Sequence, residues 1–296
     1  MVDVSVILVN YNTKDLLRQC LNSLYDKCQS LIIEIIVSDN DSSDDSNEML
    51  EKEFKDVIIV KNNANLGFGK ANNKAINIAN GKYLFLLNTD TYLINDAIKI
   101  LFEFMERDEN SEVACCGGDL FKPNGERQAS YGNFPTIFDA ISQLGFYKLY
   151  KQYYNKHLTG GALNYDQNIK VVDYICGADM FLRRSIMDKI GYFDEDFFLY
   201  FEETEMSYRI CTNGYKSVLV PSAKIVHLEG GGQIDSNVNF FKIKEFSKSR
   251  RLYFMKSRGY LISGLIKFIF VFQSLLLFTV KRDSDYLKKA KIIYNN

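Results

Sequence analysis

Tyr83-Leu84-Phe85-Leu86-Leu87-Asn88-Thr89-Asp90-Thr91 is the stretch on which the fold turns. Its apolar run lacks the in-out alternation of a half-solvated strand, so it reads as a strand covered on both faces. It then stops abruptly in polar side chains. Residues 32–37 have the same unbroken apolar character, and residues 4–9 form a third short β-rich run. Between these runs, Leu16, Leu17, Cys20, Leu21 and Leu24 recur at helical spacing and predict an amphipathic helix from residue 13 to about 25. A polar helix around 44–54, a strand at 57–60 and a helix around 68–79 complete the approach to Tyr83. Strands alternating with helices at this rhythm predict an α/β fold, Rossmann-like, with a mostly parallel sheet and helices on both faces. Such sheets take ligands at the carboxyl ends of their strands, where the order reverses. A site is therefore expected in the loops after Val9, Val37, Val60 and Leu87.

Downstream, residues 117–167 are rich in Tyr, Phe, Asn and Gly and lose the pattern. Order returns with strands at 171–175 and 180–183, a helix near 202–212, and strands at 217–220 and 225–227. The six cysteines form no C-x-x-C pair, so free buried thiols in a reducing compartment are expected. The first residues carry an acid at Asp3, no cationic lead-in and an alternating pattern, which reads as a strand rather than a secretory signal. The catalytic or binding body is accordingly expected to be cytoplasmic.

The chain has 296 residues, of which 47% are hydrophobic and 25% charged, values that exclude disorder and collagen-like order. Its net charge of −1 argues against a nucleic-acid binder. That average conceals a concentration of cations: Lys242, Lys244, Lys248, Arg250, Arg251, Lys256 and Arg258 are opposed only by Glu245. Residues 261–280 follow, mostly apolar, with Ser263, Lys267 and Gln273 as polar interruptions. Lys267 would cost roughly 2.5–3.5 kcal/mol near a bilayer centre. The sequence thus favours 242–280 lying on a membrane surface, with basic residues on anionic headgroups. Spanning, or a plain buried or oligomeric helix, are the alternatives.

Several residues carry chemistry. Asp39 heads Asp39-Asn40-Asp41-Ser42-Ser43-Asp44 and sits at a strand end, where its carboxylate can accept from the ring imide N–H of uracil or thymine. Helix capping explains Ser43 or Asp44 but not Asp39. The small residues of Asn65-Leu66-Gly67-Phe68-Gly69-Lys70-Ala71-Asn72-Asn73 permit close backbone approach, either to a ligand or to a neighbouring element. Asp90 suits a hard divalent cation on a diphosphate, or a turn. The block from Phe193 to Glu205 crowds six carboxylates among aromatics. Partial burial there would raise a carboxyl toward general-base range, whereas acids opening a helix also serve its dipole. Glu205 and Arg209 are expected to pair at i, i+4. His227 precedes a glycine-rich loop and can be a metal ligand, a phosphate donor or a satisfied polar group. His157 is the other histidine, so a Cys/His metal site is excluded.

In this order, the pieces resemble the inverting glycosyltransferases of family 2, with the GT-A fold, and most closely their rhamnosyltransferase-like branch in bacterial surface-polysaccharide assembly. Residues 4–12, ending Asn10-Tyr11-Asn12, match the first strand and nucleotide loop. Asp39-Asn40-x-Ser42-x-Asp44 matches D-N-x-S-x-D. Asn65-x-Gly67-Phe68-Gly69-x-Ala71-x-Asn73 matches N-x-G-F-[AG]-x-[AG]-x-N. Gly177-Ala178-Asp179-Met180-Phe181-Leu182-Arg183-Arg184 matches the element walling the acceptor side.

The resemblance implies that Asn10, Tyr11, Asp39, Asn65, Gly67, Asn73, Asn88 and Asp90 bind a nucleotide-diphosphate sugar, and that Gly177, Ala178 and Asp179 face the acceptor. It also implies Asp90 and His227 as ligands of Mg2+ or Mn2+. Two departures matter: Asn88-Thr89-Asp90 stands for the family's D-x-D, and Glu202-Glu203-Thr204-Glu205 for its E-D-x-D. By position Glu203 is the catalytic base, with Glu202 as the fallback.

The implied reaction moves rhamnose or a hexose from a dTDP- or UDP-sugar to a glycan or polyprenyl-diphosphate-linked acceptor, whose diphosphate would meet Arg250, Arg251 and nearby lysines. A GT-A scaffold that binds nucleotide sugar without turnover is the alternative. The expected organisation is a catalytic domain over 1–235, divided into a nucleotide-binding half (1–116) and an acceptor-binding half (117–235). Residues 236–296 would form a membrane-associating helical segment, peripheral on the inner face of the cell membrane.

Overall fold

Four strands lie side by side, three of them largely buried and the fourth, at the sheet edge, partly exposed. They are β1 (Val4–Asn10), β2 (Ile33–Asp39), β3 (Ile58–Lys61) and β4 (Tyr83–Asn88). The computed structural model describes residues 2–157, 162–228 and 238–296. Helices α1 (Lys14–Lys27), α2 (Ser46–Glu53) and α3 (Phe68–Ile76) connect these strands. The chain then forms β5 (Thr91–Leu93), α4 (Ala97–Met105), β6 (Val113–Phe121), β7 (Tyr131–Gly132), α5 (Ile137–Ser142) and α6 (Lys151–His157). Next come β8 (Lys170–Val172), β9 (Tyr174–Ile175), β10 (Asp179–Arg183), α7 (Arg184–Ile190), α8 (Glu202–Thr212) and β11 (Lys216–His227). Helices α9 (Phe240–Arg258), α10 (Tyr260–Lys281) and α11 (Ser284–Asn295) close the described chain.

The main sheet runs β3-β2-β1-β4-β10-β6-β11-β5, with β8 also paired to β11. Strands β1 to β4, β6 and β11 point one way, and β10, β5 and β8 run against them. Strand order reverses between β1 and β4, and the register there aligns Asn10 with Asp39 and Val9 with Asn88. The polar ends of three strands therefore meet at one edge.

Side chains alternate between two cores, as the pleat requires. Val6 and Leu8 join Leu17, Leu21 and Leu24 of α1 on one face, whereas Ile7 and Ile36 join Ala75, Ile186, Met187 and Met206 on the other. Each fully buried leucine is worth roughly 1.5–3 kcal/mol, so the apolar stripe of α1 is a main source of its helicity. A third core joins Ala140 of α5, Phe197, and Tyr253, Phe254, Ile266 and Ile269 of α9 and α10. The C-terminal helices thus share a core with the body of the molecule.

The elements read from the sequence recur, with informative differences. Residues 217–220 and 225–227 are one strand, β11, whose register shifts between Leu219 and Lys224. Pro221 lies inside that shift and offers no N–H to a ladder. Residues 91–112, to which periodicity assigns nothing, contain β5 and the amphipathic α4. The aromatic stretch after Gly132 holds α5 and α6, and the last residues form α11.

The basic segment is the helix α9, which buries Glu245, Ser247, Ser249, Tyr253 and Phe254 and leaves Lys242, Lys244, Lys248 and Arg251 exposed. Its Lys256 pairs with Asp194 and, at 2.8 Å, with Asp196. Arg251 donates to the main-chain oxygen of Asn296. Helix α10 exposes Leu261, Phe268, Phe272 and Val280 to solvent, and α9 exposes Phe241 and Phe246. Helix α10 is long and apolar enough to cross a membrane.

Candidate active site

The carboxyl edge of β1, β2 and β4 is knit together by short polar side chains. Asn10, buried at the end of β1, donates to Asp39 at 2.8 Å and to Ser42 at 3.0 Å. Thr13 donates to Asn10 at 2.7 Å and shares a hydrogen bond with Thr89 at 2.9 Å. Asp39 is only 1% exposed. Its other oxygen accepts from the Ser42 amide and the Asn47 side chain, each at 3.0 Å. Asp39 therefore orders the nucleotide loop from inside, and three of its roughly four acceptor positions are occupied. Tyr11, by contrast, stands on the lip, half exposed.

Asn65, Gly67 and Asn73 have structural partners that the sequence left open. Asn65 accepts from the Gly67 amide at 3.0 Å, and Asn40 donates to the Gly67 carbonyl at 3.0 Å. Gly67 sits at φ +81°, and a Cβ there would lie 2.1 Å from the Phe198 carbonyl oxygen. Phe68 donates its amide to that same oxygen at 3.0 Å. Asn73 donates to the Phe193 carbonyl at 2.8 Å and accepts from its amide at 3.2 Å. Close backbone approach here is thus between α3 and the 193–198 segment that leads into the acidic helix.

The acidic helix α8 begins just after two left-handed residues, Tyr200 (φ 71°) and Phe201 (φ 66°). Such conformations cost of order 1–3 kcal/mol each and persist only where packing imposes them. Phe246 of α9 supplies that packing, with ring centroids 5.5 Å from Tyr200 and 5.2 Å from Phe201. The turn separates the two candidate bases. Glu202 is buried with one carboxyl oxygen unpartnered. Burial first, and the charge of Glu203 second, push its carboxyl well above the usual range. Glu203 opens onto a cavity and accepts from Thr204 at 3.1 Å. Burial raises its carboxyl too, against hydrogen bonds that favour the charged form. Glu205 and Arg209 pair at 2.8 Å as the spacing predicts, and Arg209 also donates to the Ile190 and Gly191 carbonyls.

Gly177 abuts this acid. A Cβ at Gly177 would lie 3.6 Å from Cγ of Glu203. Ala178 accepts from the Asn88 amide at 3.0 Å, which ties the Glu203 side of the site to the end of β4. Asp179 is wholly buried in the sheet and receives the Gly118 amide at 2.5 Å. Burial raises its carboxyl far above the ordinary value. Arg183 and Arg184 point to the other end of the sheet, where they donate to main-chain carbonyls of Val113, Met105 and Ala79.

Two residues distant in sequence meet beyond Asn88. Pairing of β5 with β11 sets Thr91 opposite His227, and the Leu228 amide donates to the Asp90 carbonyl at 2.9 Å. Nε2 of His227 consequently lies 3.4 Å from Oδ1 of Asp90, both side chains being mostly buried. The Asp90 carboxylate suits Mg2+ or Mn2+, and the adjacent imidazole favours the transition metal of the two. Among the described residues no group of three or more His, Cys, Asp or Glu converges, so such a cation would draw its other ligands from phosphate and water. Residues 229–237 and the side chain of His157 lie outside the described residues. Sequence reasoning missed Thr13, Thr89 and the Tyr200–Phe201 turn. The first two carry no distinctive spacing, and the last depends on α9.

Residues 5–191 match the family model described as Glycosyl transferase family 2. An uncharacterized glycosyltransferase of Methanocaldococcus jannaschii is 27% identical over 53% of this chain, which spans about half (52%) of that relative's length. The N-acetylglucosaminyl-diphospho-decaprenol L-rhamnosyltransferase of Mycobacterium tuberculosis is 24% identical, covering 77% of this chain and 76% of its own. Among solved structures, the mannosyltransferase PcManGT from Pyrobaculum calidifontis in complex with GDP-Man and Mn2+ superimposes with a TM-score of 0.55. It is 14% identical over 99% of this chain and 86% of that one, a likeness of fold. The architecture is the GT-A fold, and the chain belongs to glycosyl transferase family 2.

Proposed function

We propose that the chain is an inverting glycosyltransferase acting in cell-surface polysaccharide or lipid-linked glycan assembly. It would take rhamnose or a hexose from a dTDP- or UDP-sugar. One observation carries this reading: a Cβ at Gly177 would lie 3.6 Å from Cγ of Glu203, Ala178 is bonded to Asn88, and Asp90 stands beside His227. This nearness supports a site whose nucleotide and acceptor ends adjoin. The name of the M. tuberculosis relative, which includes a diphosphate-linked lipid acceptor, supports the acceptor class. The PcManGT complex with GDP-Man and Mn2+ supports a metal-assisted nucleotide-sugar donor.

In this mechanism the loop ordered by Asn10, Asp39 and Ser42 binds the base, with Tyr11 on its lip. Asp90 and His227 would hold Mg2+ or Mn2+, which when bound offsets charge on the leaving nucleoside diphosphate. Glu203 accepts the proton of an acceptor hydroxyl. The oxygen attacks the anomeric carbon as the bond to the donor phosphate breaks on the opposite face, so configuration inverts and the phosphate leaves with the electron pair. A carboxyl raised by burial is a stronger base than one in water, which suits this task. Asn73, Gly67 and Asn65 act through the 193–198 segment, whose position sets that of Glu203. The exposed apolar face of α10 would rest on the inner surface of the cell membrane.

A thermal-shift panel of UDP-, dTDP- and GDP-sugars, each with and without Mn2+, paired with an assay for nucleoside diphosphate release, tests the reading. The expected result is stabilisation by one nucleotide sugar, deepened by metal, and release of its diphosphate when acceptor is added. Binding with no release for any acceptor would favour the scaffold alternative. Absence of stabilisation by every nucleotide sugar would contradict both.

A further inference from the structure

The stretch 140–157 combines cations with exposed apolar side chains. It holds Lys148, Lys151 and Lys156 and no Asp or Glu, and five of its eighteen residues are Phe or Tyr. Aromatic rings frame it from within. The Phe138 ring lies 5.7 Å from that of Tyr150 and 5.5 Å from that of Tyr153, and the Tyr150 hydroxyl donates to the Phe138 carbonyl at 3.0 Å. Tyr147 and Tyr154 pair at 5.2 Å. Outside this frame, on the short 3-10 helix Phe146–Tyr150, Leu149 is 84% exposed and Phe146 52%. Lys148 and Lys151 are exposed beside them.

The segment starts against α10. Ala140 shares a core with Ile266 and Ile269, and Gln273 of α10 donates to the Gln143 carbonyl at 2.9 Å. Along α10 the exposed Leu261, Leu265, Phe268, Phe272 and Leu276 recur every three or four residues and so share one side of the helix. Apolar surface is therefore exposed on both of the elements that meet at Gln143 and Gln273. An ordinary solvated surface intersperses charges of both signs. Apolar tips beside cations, with no acid among them, instead complement a surface that is anionic above and apolar below, as an anionic bilayer is. A second copy docking through the same patch would set like charges together, which is unfavourable.

We propose that residues 146–153 form a second lipid-contacting element, with Phe146 and Leu149 entering the headgroup boundary of an anionic bilayer while Lys148 and Lys151 meet lipid phosphates. The inference rests on the membrane contact proposed for α10 and goes beyond it. One helix alone leaves the body free to roll on a bilayer, whereas two contacts on separate elements fix its tilt. Gln143 and Tyr154 of the segment and Phe270 and Gln273 of α10 line the same cavity as Glu203, so that tilt also sets how the cavity stands to the lipid.

The chain has no tryptophan, so a single one reports its own surroundings. Leu149→Trp and Phe272→Trp, each at an exposed position, are made separately in the full chain and mixed with phosphatidylcholine vesicles containing phosphatidylglycerol. Emission from Leu149→Trp should shift to the blue and fall about twofold or more when the acyl chains are brominated, as for a side chain at the headgroup–acyl boundary. Phe272→Trp reports on α10 in the same way. Quenching at 272 without quenching at 149 would overturn the proposal and leave the α10 contact standing, and quenching at neither would overturn both. A blue shift that grows with protein concentration in the absence of vesicles would assign the patch to a second copy and overturn the proposal too. Each cation near an anionic surface is worth roughly fivefold in affinity, so Lys148→Gln combined with Lys151→Gln should weaken vesicle binding about tenfold or more. Thermal unfolding should be unchanged in that variant. Vesicle affinity within twofold of the parent would overturn the assignment of the two lysines to lipid phosphate. No donor or acceptor is added, so these results stand apart from the transferase reading.

Discussion

Glu202 and Glu203 are adjacent in sequence but differ in what surrounds them. Glu203 meets the cavity, whereas Glu202 is buried with an unpartnered oxygen and its native carboxyl is raised well above the usual range. The folded state therefore holds the Glu202 proton to higher pH than the unfolded chain does. Stability from this residue is highest at acidic pH and falls as pH rises from the ordinary glutamate range toward the raised native value. Glu202→Gln removes that ionisation and should raise the thermal midpoint at pH 7.5, with the gain shrinking as pH is lowered toward 4. An equal or lower midpoint at pH 7.5 would contradict this account of Glu202. Sequence position alone left the two acids as rivals, because their difference depends on the Tyr200–Phe201 turn and on Phe246. The Asp90–His227 pair was legible as chemistry from residue type and motif order. That the two stand 3.4 Å apart depends on β5, a strand of three residues with no periodicity to read.

At the scale of elements, α3 and the 193–198 segment behave as one unit. Gly67 is where they touch most closely, and its positive φ makes a side chain doubly unfavourable. Gly67→Ala combines a left-handed penalty of roughly 1–2 kcal/mol with overpacking of roughly 1–3 kcal/mol. Urea denaturation should therefore show a loss of about 2–5 kcal/mol. A change below about 0.5 kcal/mol would mean that the Phe198 contact is not tight. The early strands and helices were readable because doubly covered strands and amphipathic helices imprint their burial on the sequence. Residues 117–167 resisted for the opposite reason: α5 packs against α9 and α10, which arrive more than a hundred residues later. Likewise, basic composition could not tell that Lys256 serves Asp194 and Asp196, because those partners are on another segment.

The whole molecule is a GT-A body to which three C-terminal helices add a core, a cavity wall and an apolar outer face. The proposed membrane contact draws its apolar surface from α10. Replacing Leu261, Phe268 and Phe272 together by Ser should reduce co-sedimentation with phosphatidylglycerol vesicles by about tenfold, and unchanged co-sedimentation would remove α10 from that role. The enzymatic claim depends on a single proton acceptor facing that cavity, and one measurement addresses it most directly: nucleoside diphosphate release by the full chain and by Glu203→Gln, with donor, Mn2+ and a diphosphate-linked acceptor. A general base contributes about 10²–10⁴-fold, so the account predicts a loss of that size in kcat with donor affinity retained. Turnover by Glu203→Gln equal to that of the parent protein would contradict it.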